Sequence, residues 1–362
     1  MRKHQVYTRA RKAIVLSATL LGLILGTSAH AQTKIVLGYV PAVTISYAST
    51  MLAAELGYFK EEGIDISFVE FKGSAVLLPQ LVNKSVTIGY PNPDILILSR
   101  QPGRDPLPLK FFYNATPASV WEIAVPADSP IKTLADLKGK KVGVGSMTFG
   151  NIPITKALLE EQGFKIDKDI ELVPVGIGGP AFLALKSGKI DALNLFDTQI
   201  ALLEGTMPIR RLELPAKYVK IFSNGYIAHE DTIKNNPQLL AKFGRAASKG
   251  VVACLENMPA CARNYWKYYP DQKPQGSDAD VLKIGVSAIK VRLQKMTYPE
   301  GKDHKFAAFE AGDWNTFMDI LKRGGQITDT NISPDLFFTN ALVDDINKFD
   351  REKVRADARK LP

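Results

Sequence analysis

The stretch VGVGSMTFGNIPITKALLEEQG, residues 142–163, joins a short apolar run, a glycine-rich turn and a helical pattern. This order is typical of a strand–turn–helix unit in an α/β protein. Gly143, Gly145 and Gly150 do not form G-x-G-x-x-G, because the third glycine comes too late, and no G-K-[ST] follows. The stretch therefore predicts an α/β unit and does not favour a nucleotide site.

Outward from this stretch, the chain from residue 34 alternates short β-like runs with amphipathic helical segments, and the pattern restarts near Trp121. Such alternation predicts βαβ units, parallel-rich sheets and two similar lobes. After SNGYIAHEDT the sequence becomes helical, so we expect a C-terminal tail that packs on an earlier lobe. The predicted division is 1–31 signal peptide, 32–119 and 226–362 lobe 1, and 120–225 lobe 2.

The first 31 residues have the pattern of a secretory signal peptide. Residues 13–25 are mostly apolar, which is too short for a good membrane span, and Ser28-Ala29-His30-Ala31 supplies a cleavage site. The residue directly after that site is Gln32 and not a cysteine, so no lipid anchor is expected. We expect a soluble periplasmic protein rather than an uncleaved membrane anchor. The basic residues that open this segment are Arg2, Lys3, Arg9, Arg11 and Lys12.

The net charge of +9 overstates the basic character of the exported chain. Removing the five basic residues of the leader from 46 leaves 41 against 37 acidic residues, a balance of +4. This ordinary balance does not indicate a nucleic-acid partner.

Ligands of parallel sheets bind beyond the carboxyl ends of the strands, so the polar loops that follow predicted strands are the candidate site. Aromatic residues there can sandwich a planar ring, and helix starts can hold an electronegative group. Each residue can instead belong to a lobe core or cap a helix. The candidates are Thr44, Ser46, Tyr47, Ser74, Tyr90, Asn92, Asp94, Ser146, Thr148, Phe149, Phe196 and Asp197.

The candidate loops contain no arginine. The sequence therefore predicts that an anion would be held by helix starts and hydroxyls rather than by a guanidinium group. Asp94 and Asp197 are candidates to receive an amine or a ring N–H, with helix capping as the alternative. No metal or other cofactor is expected.

The chain has two cysteines, Cys254 and Cys261. Pro259 lies between them and should interrupt the helical pattern, which allows the chain to fold back. In an exported protein this arrangement favours a disulfide, and two free buried thiols are the alternative. Two cysteines without a nearby histidine pair make a poor zinc site.

Four phrases of the sequence, ELGYFKEEGIDISF, TLADLKGKKVGVG, KSGKIDAL and FFTNALV, resemble the substrate-binding proteins of ABC importers. The resemblance is to the branch that handles nitrate, sulfonates such as taurine, and the pyrimidine precursor of thiamine. It implies the two-lobed type II periplasmic-binding-protein fold, two hinge crossings and a monomer. It also implies that a small anionic, zwitterionic or planar heteroaromatic ligand is clamped between the lobes and delivered to a membrane permease.

The loops at Thr44, Ser74, Asn92 and Ser146 match the positions of ligand-holding loops in that family. The pair Phe196-Asp197, which follows the strand that begins after Ile190-Asp191, matches an aromatic–acid pair of the family. The first loop lacks the histidine that some members carry, which leaves the ligand class open. Trp121 and the segment Asn224-Gly225-Tyr226 are expected near the two hinge crossings.

Two other functions share this fold or its binding physics. The thiamine-pyrimidine synthases of fungi share the fold, and a ligand sensor for a membrane receptor would bind in the same way. Acid–base catalysis usually draws on His, Cys or paired carboxylates. Beyond the leader the only histidines are His229 and His304, and neither lies in a candidate loop. The sequence therefore predicts no catalytic residues and a protein that is not an enzyme.

Overall fold

In the computed structural model, residues 32–40 and 44–362 are described, and they form two five-stranded sheets flanked by helices. The predicted signal peptide, residues 1–31, lies outside the described residues. In the described part of the chain, no helix is both long and apolar enough to cross a membrane.

The strands, in chain order, are β1 (Thr33–Tyr39), β2 (Ile64–Glu70), β3 (Ile88–Gly89), β4 (Leu109–Asn114), β5 (Trp121–Pro126), β6 (Lys141–Val144), β7 (Glu171–Pro174), β8 (Ala192–Phe196), β9 (Ile209–Arg211) and β10 (Gly225–His229). The helices before the tail are α1 (Ala48–Glu55), α2 (Tyr58–Glu61), α3 (Ser74–Val82), α4 (Asp94–Ser99), α5 (Ile152–Glu161), α6 (Gly179–Lys186), α7 (Asp197–Glu204), α8 (Ala216–Lys220) and α9 (Glu230–Asn235). The tail contains α10 (Pro237–Glu256), α11 (Met258–Tyr268), α12 (Asp278–Met296), α13 (Ala311–Arg323), α14 (Val343–Ile346) and α15 (Arg351–Ala358). Short 3₁₀ turns lie at Ile45–Tyr47, Leu134–Leu137, Pro270–Gln272, Gly301–Asp303 and Pro334–Leu336.

The two sheets repeat one topology, with strand orders β2-β1-β3-β10-β4 and β7-β6-β8-β5-β9. Four strands of each sheet run in the same direction, and the remaining strand, β10 or β5, runs antiparallel to both of its neighbours. That antiparallel strand enters each sheet directly after the chain crosses from the other lobe. The predicted arrangement of two α/β lobes joined by two crossings is confirmed.

The two crossings are hydrogen-bonded to each other. The backbone N–H groups of Ala115 and Thr116 donate to the carbonyl of Asn224 at 3.1 and 3.0 Å. The N–H of Asn224 donates in turn to the Thr116 hydroxyl at 2.6 Å. Paired crossings of this kind form a hinge at which small backbone rotations can move one lobe against the other.

The continuous helical pattern of the sequence over residues 45–63 is divided in the structure into α1 and α2. Gly57 has a left-handed backbone with φ +78° and separates α1 from α2. A residue with a left-handed backbone conformation ends an α-helix, and glycine adopts that conformation more easily than other residues. The apolar face persists across the break, because Leu52 and Phe59 are both buried.

The helical tail packs on both lobes, whereas the sequence predicts packing on one. In the sheet-1 lobe α10 packs on α1, and in the sheet-2 lobe α12 packs on α7 and α13 on α5. At Gly324 an added Cβ would lie 2.2 Å from the Cα of Ala157, so the end of α13 meets α5 at backbone distance. The last helix, α15, packs on α10 and buries Val354 and Ala358.

The predicted disulfide is confirmed. Cys254 near the end of α10 is bonded to Cys261 in α11, with a Cα–Cα distance of 5.3 Å, and both residues are fully buried. The chain turns at Asn257, whose side chain accepts a hydrogen bond from Ala260 N at 3.0 Å and caps α11. Pro259 occupies the first turn of α11, where its missing N–H costs little.

Candidate functional site

A cleft lies between the two sheets, where loops that follow β1, β3, β6 and β8 converge. Its empty volume is about 390 Å³, counted out to the solvent. Both lobes and the tail contribute walls, since Ser46 and Asn92 belong to the first lobe, Phe149 and Phe196 to the second, and Arg292 to α12. The lining residues are Val40, Thr44, Ser46, Tyr47, Gly73, Ser74, Asn92, Val120, Trp121, Phe149, Gly150, Phe196, Asn224 and Arg292.

Seven of the twelve predicted site residues line this cleft. They share one position, the carboxyl end of a strand or the start of the following helix, where the rule for parallel sheets places ligands. They are Thr44, Ser46, Tyr47, Ser74, Asn92, Phe149 and Phe196.

The other five predicted residues lie outside the lining. Tyr90 is buried behind Tyr47, with ring centroids 5.3 Å apart, and burial raises its pKa to about 12. Ser146 and Thr148 bond to each other at 2.9 Å, and the Thr148 hydroxyl donates to the carbonyl of Lys72 in the opposite lobe at 3.1 Å. The two acidic residues, Asp94 and Asp197, are buried in contacts with other protein groups.

Sequence reasoning missed Val40, Gly73, Val120, Trp121, Gly150, Asn224 and Arg292 as cleft residues. Trp121 and Asn224 had a usable signal, because residues expected at a hinge between two lobes also adjoin the cleft that the hinge closes. Arg292 had none, since it lies in a helical tail far along the chain from every candidate loop.

Arg292 of α12 brings a guanidinium group to the cleft wall, although the candidate loops contain no arginine. Its Nη2 donates to Oδ1 of Asp197 at 2.6 Å, and its Nε lies 3.1 Å from both carboxylate oxygens. Burial alone would lower the pKa of Arg292, but the attraction and hydrogen bonds of Asp197 outweigh it and raise the pKa. The side chains are 5% and 0% exposed, so the pair adds no net charge to the cleft wall.

Aromatic rings dominate the cleft wall. Trp121 and Phe196 meet edge to face with centroids 5.9 Å apart, and the Arg292 guanidinium lies 6.0 Å from the Phe196 centroid. The Tyr47 hydroxyl is held by the carbonyl of Val40, so this tyrosine presents its ring rather than a free hydroxyl. Such walls favour a flat, apolar-faced molecule.

The polar atoms of the cleft divide into those with protein partners and those without. Ser46 Oγ bonds to Thr198 Oγ1 at 2.7 Å, across the two lobes, and Asn92 Oδ1 accepts from Asn224 Nδ2 at 3.0 Å. Within the described residues, the buried Oγ of Ser74 and the buried Nε1 of Trp121 have no partner. Unpartnered buried polar atoms are uncommon in native proteins, and a ligand is one way to satisfy them.

A model of the family described as NMT1/THI5 like matches residues 44–260, more than half of the chain. The chain belongs to the NMT1/THI5-like family. This assignment agrees with the resemblance to importer-associated binding proteins that the sequence phrases carry.

Two curated relatives of this NMT1/THI5-like chain are named as binding proteins. A Brucella abortus (strain 2308) protein, designated a binding protein without a stated ligand, is 26% identical over 198 residues, which are 54% of this chain and 59% of that protein. Riboflavin-binding protein RibY of Chloroflexus aurantiacus is 23% identical over 230 residues, 62% of this chain and 63% of RibY. The chain thus spans less than two thirds of the length of these relatives.

The fold is shared with a solved structure. The alkanesulfonate-binding protein SsuA from Xanthomonas axonopodis pv. citri, bound to MOPS, matches with a TM-score of 0.63 at 15% identity, over 85% of this chain and 100% of SsuA. The predicted periplasmic-binding-protein fold is therefore confirmed for this NMT1/THI5-like protein.

The two histidines among the described residues, His229 and His304, have structural partners. His229 Nδ1 accepts from Asp231 N at 3.1 Å and caps α9, and His304 Nδ1 lies 2.8 Å from a carboxylate oxygen of Glu300. Neither histidine lines the cleft. Over residues 32–40 and 44–362, no group of three or more His, Cys, Asp or Glu residues is suited to a metal ion.

Proposed function

We propose that this NMT1/THI5-like protein is an extracytoplasmic solute-binding protein that captures a small molecule between its lobes and delivers it to an ABC import permease. One observation carries the proposal. Two residues on opposite sides of the hinge crossing, Ser74 and Trp121, line one aromatic cleft and each buries a hydrogen-bonding atom without a protein partner in the described part of the chain. A bound molecule would satisfy both atoms.

Among the anionic, zwitterionic and planar heteroaromatic ligands that the sequence leaves open, the geometry favours the last. The Arg292 guanidinium is neutralised by Asp197, so an anion would find no uncompensated positive side chain in the lining. The rings of Trp121 and Phe196 offer flat surfaces, and the Trp121 N–H is a donor that suits a ring acceptor. The relative RibY, named for riboflavin, takes a molecule of this chemical class.

Delivery requires that ligand binding change the shape of the protein. The two bonded crossings at Thr116 and Asn224 supply a hinge, and contacts such as Ser46–Thr198 at 2.7 Å form only when the lobes approach. In our proposal the ligand stabilises the closed form, the permease recognises that form, and the protein acts as a monomer in the periplasm after removal of residues 1–31.

The first test identifies the molecule retained by the purified protein. Mass spectrometry of the denatured sample should show a planar heterocycle, and thermal-shift titration with riboflavin, cytosine, taurine and nitrate should rank the classes. At a ligand concentration of about 100 times Kd, binding adds about 2.7 kcal/mol to the free energy of unfolding. Recovery of a chemically altered compound would favour an enzyme instead.

Variants connect that result to the cleft. Trp121→Phe keeps an aromatic ring but removes the unpartnered N–H, and Ser74→Ala removes the unpartnered hydroxyl. Both should reduce the ligand-induced shift while changing the ligand-free melting temperature little. Ser85→Ala, at an exposed serine in the same lobe, is the matched control and should bind as the unaltered protein does. Equal binding by all three variants would contradict the proposed site.

A further inference from the structure

The N-terminus of α5 is not capped by its own flanking residue. Asn151 occupies the N-cap position, but its side-chain Nδ2 donates to Thr155 Oγ1 at 3.0 Å and to Asn194 Oδ1 at 3.3 Å. It makes no cap hydrogen bond among the described residues. Pro153 in the first turn has no N–H, so Ile154 N–H is the backbone donor that needs an acceptor from elsewhere.

That acceptor comes from the other lobe. Asp94 begins α4, beyond β3 of the first sheet, and its Oδ1 accepts from Ile154 N at 3.0 Å. Asp94 is 0% exposed, and its Oδ2 has no partner within the described residues. Asn92, two residues before Asp94, accepts a hydrogen bond from Asn224 Nδ2 at 3.0 Å, so the segment that carries Asp94 adjoins the second hinge crossing.

We propose that Asp94 is a positioning residue for ligand capture, because it supplies the N-cap of α5 from the opposite lobe and so couples capping of this helix to closure of the cleft. The inference rests on the proposed function in one respect, that closure is what traps the ligand. When the lobes separate, the Ile154 N–H and the Asp94 carboxyl group both become exposed and form hydrogen bonds with water instead. An acidic side chain at a helix N-terminus is also favoured by the helix dipole, which makes this end of α5 unavailable to an anionic ligand.

The same contact makes closure sensitive to pH. Burial raises the pKa of Asp94 from its usual 3.8 to about 7, and hydrogen bonds from Ile154, its own backbone and Asn92 oppose that rise only in part. The charged residues of the helix packed against Asp94, α5, are Lys156, Glu160 and Glu161, and Arg100 follows α4. Three of them are bonded to residues other than Asp94: Glu161 to Lys217, Glu160 to Gln326 and Arg100 to Glu230. Lys156 is half-buried.

The sign of the effect follows from the two states. In the open form the carboxyl meets water and titrates near its usual pKa, whereas in the closed form its pKa is raised. Closure therefore takes up a proton, is most favoured at low pH, and weakens as the pH rises through about 7. The ratio of closed to open protein should fall about tenfold between pH 6 and pH 8, since each pKa unit corresponds to a factor of ten.

Hydrogen exchange of the ligand-free, full-length mature protein tests the proposal. Peptides that contain Ile154 and Ala75 report on closure from the two lobes, because Ala75 N donates to the carbonyl of Thr148 across the cleft at 3.4 Å. After correction for the intrinsic rates, protection of both amides should fall about tenfold from pH 6 to pH 8. Asp94→Asn keeps an acceptor oxygen without a titrating group and should keep both amides within about twofold over this range.

Two further variants complete the experiment. Asp94→Ala should lower the protection of both Ile154 and Ala75 about fivefold at pH 6, the scale of a lost N-cap, because the closed form as a whole is weakened. The control Asp65→Asn alters an exposed acid on β2 and should reproduce the unaltered profile. A flat profile in the unaltered protein, or an equal slope in Asp94→Asn, would overturn the proposal.

A loss of protection confined to Ile154 would also overturn it, because that result indicates local fraying of α5 rather than opening. If Asp94→Ala does not fold, the Asp94→Asn comparison still decides. No ligand enters this experiment, so failure to find a ligand would count against the proposed function without affecting this result.

Discussion

Replacing Arg292 with Met removes the charge that α12 contributes to the cleft wall while keeping an unbranched apolar side chain in its place. In the native protein the guanidinium makes three contacts with the Asp197 carboxylate, at 2.6, 3.1 and 3.1 Å. The variant leaves the Asp197 carboxyl group fully buried and facing an apolar side chain, with the Thr198 backbone N–H at 2.7 Å as a remaining donor.

The expected cost is large because a buried charge loses its partner. Breaking a buried ion pair by removing one member typically costs about 3–5 kcal/mol. An unfolding entropy of about 2.1 cal/mol/K per residue over roughly 330 residues gives about 0.7 kcal/mol/K, so the melting temperature should fall by about 4–7 °C. Replacing both members, as in Asp197→Asn with Arg292→Met, should recover most of that loss, since no uncompensated charge is left.

Differential scanning calorimetry of the ligand-free protein at pH 7.5 measures these shifts. The matched control is Arg359→Met, because Arg359 pairs with Glu256 at the same 2.6 Å but with its side chain 58% exposed. That surface pair should contribute at most about 1 kcal/mol. The reasoning is refuted if Arg292→Met lowers the melting temperature no more than the control does. It is also refuted if the double variant lowers the melting temperature by as much as Asp197→Asn and Arg292→Met do when their separate effects are added.

Three further predictions concern closure, the disulfide and pH. In Gly73→Ala the new Cβ would lie 2.2 Å from a backbone carbonyl oxygen of the opposite lobe, so the ligand-induced thermal shift should disappear; Gly179→Ala, which has open space, should retain it, and equal shifts would contradict the close approach. Cys254→Ala with Cys261→Ala should lower the free energy of unfolding by about 2.5 kcal/mol, because a short loop is no longer closed in the unfolded chain. Urea denaturation with and without reductant measures this loss, and an unchanged urea midpoint would count against the prediction. Burial lowers the pKa of His304 below its usual 6.5, so its contribution to stability is present above that pH and is lost as the pH falls; His304→Gln should melt with a weaker dependence between pH 7 and 5, and an unchanged dependence would assign it to other groups.

Local sequence patterns were sufficient for much of the fold and for part of the site. The restart of the strand–helix alternation near Trp121 predicted two lobes, and each lobe forms a five-stranded sheet with the same strand order. Residues such as Ser46, Ser74 and Phe196 reach the cleft because the carboxyl ends of strands in both sheets face it, a consequence of chain direction that periodicity already contains.

The roles of the polar candidates depended on partners from other parts of the chain. Asp94 looks the same in sequence whether it binds a ligand or caps a helix, and the structure gives it Ile154 of the opposite lobe, 60 positions away. Thr148, a candidate for ligand contact, instead meets the carbonyl of Lys72. No local pattern distinguishes these outcomes, because each depends on how closely two lobes approach.

By itself, then, the sequence determined the alternation of elements and the two lobes, because both follow from short-range periodicity and turn chemistry. It favoured the disulfide over two free thiols, and it predicted the edge of the sheets at which a ligand would be held. Only the tertiary structure decided the electrostatics of the cleft. It brings Arg292 of α12 into contact with Asp197 of α7, 95 positions away in the sequence, so the charge of the guanidinium group at the cleft is compensated by a carboxylate. The physical reason is that a charge is compensated by whatever lies within a few ångströms in space, and that neighbourhood is set by how the helical tail packs on both lobes.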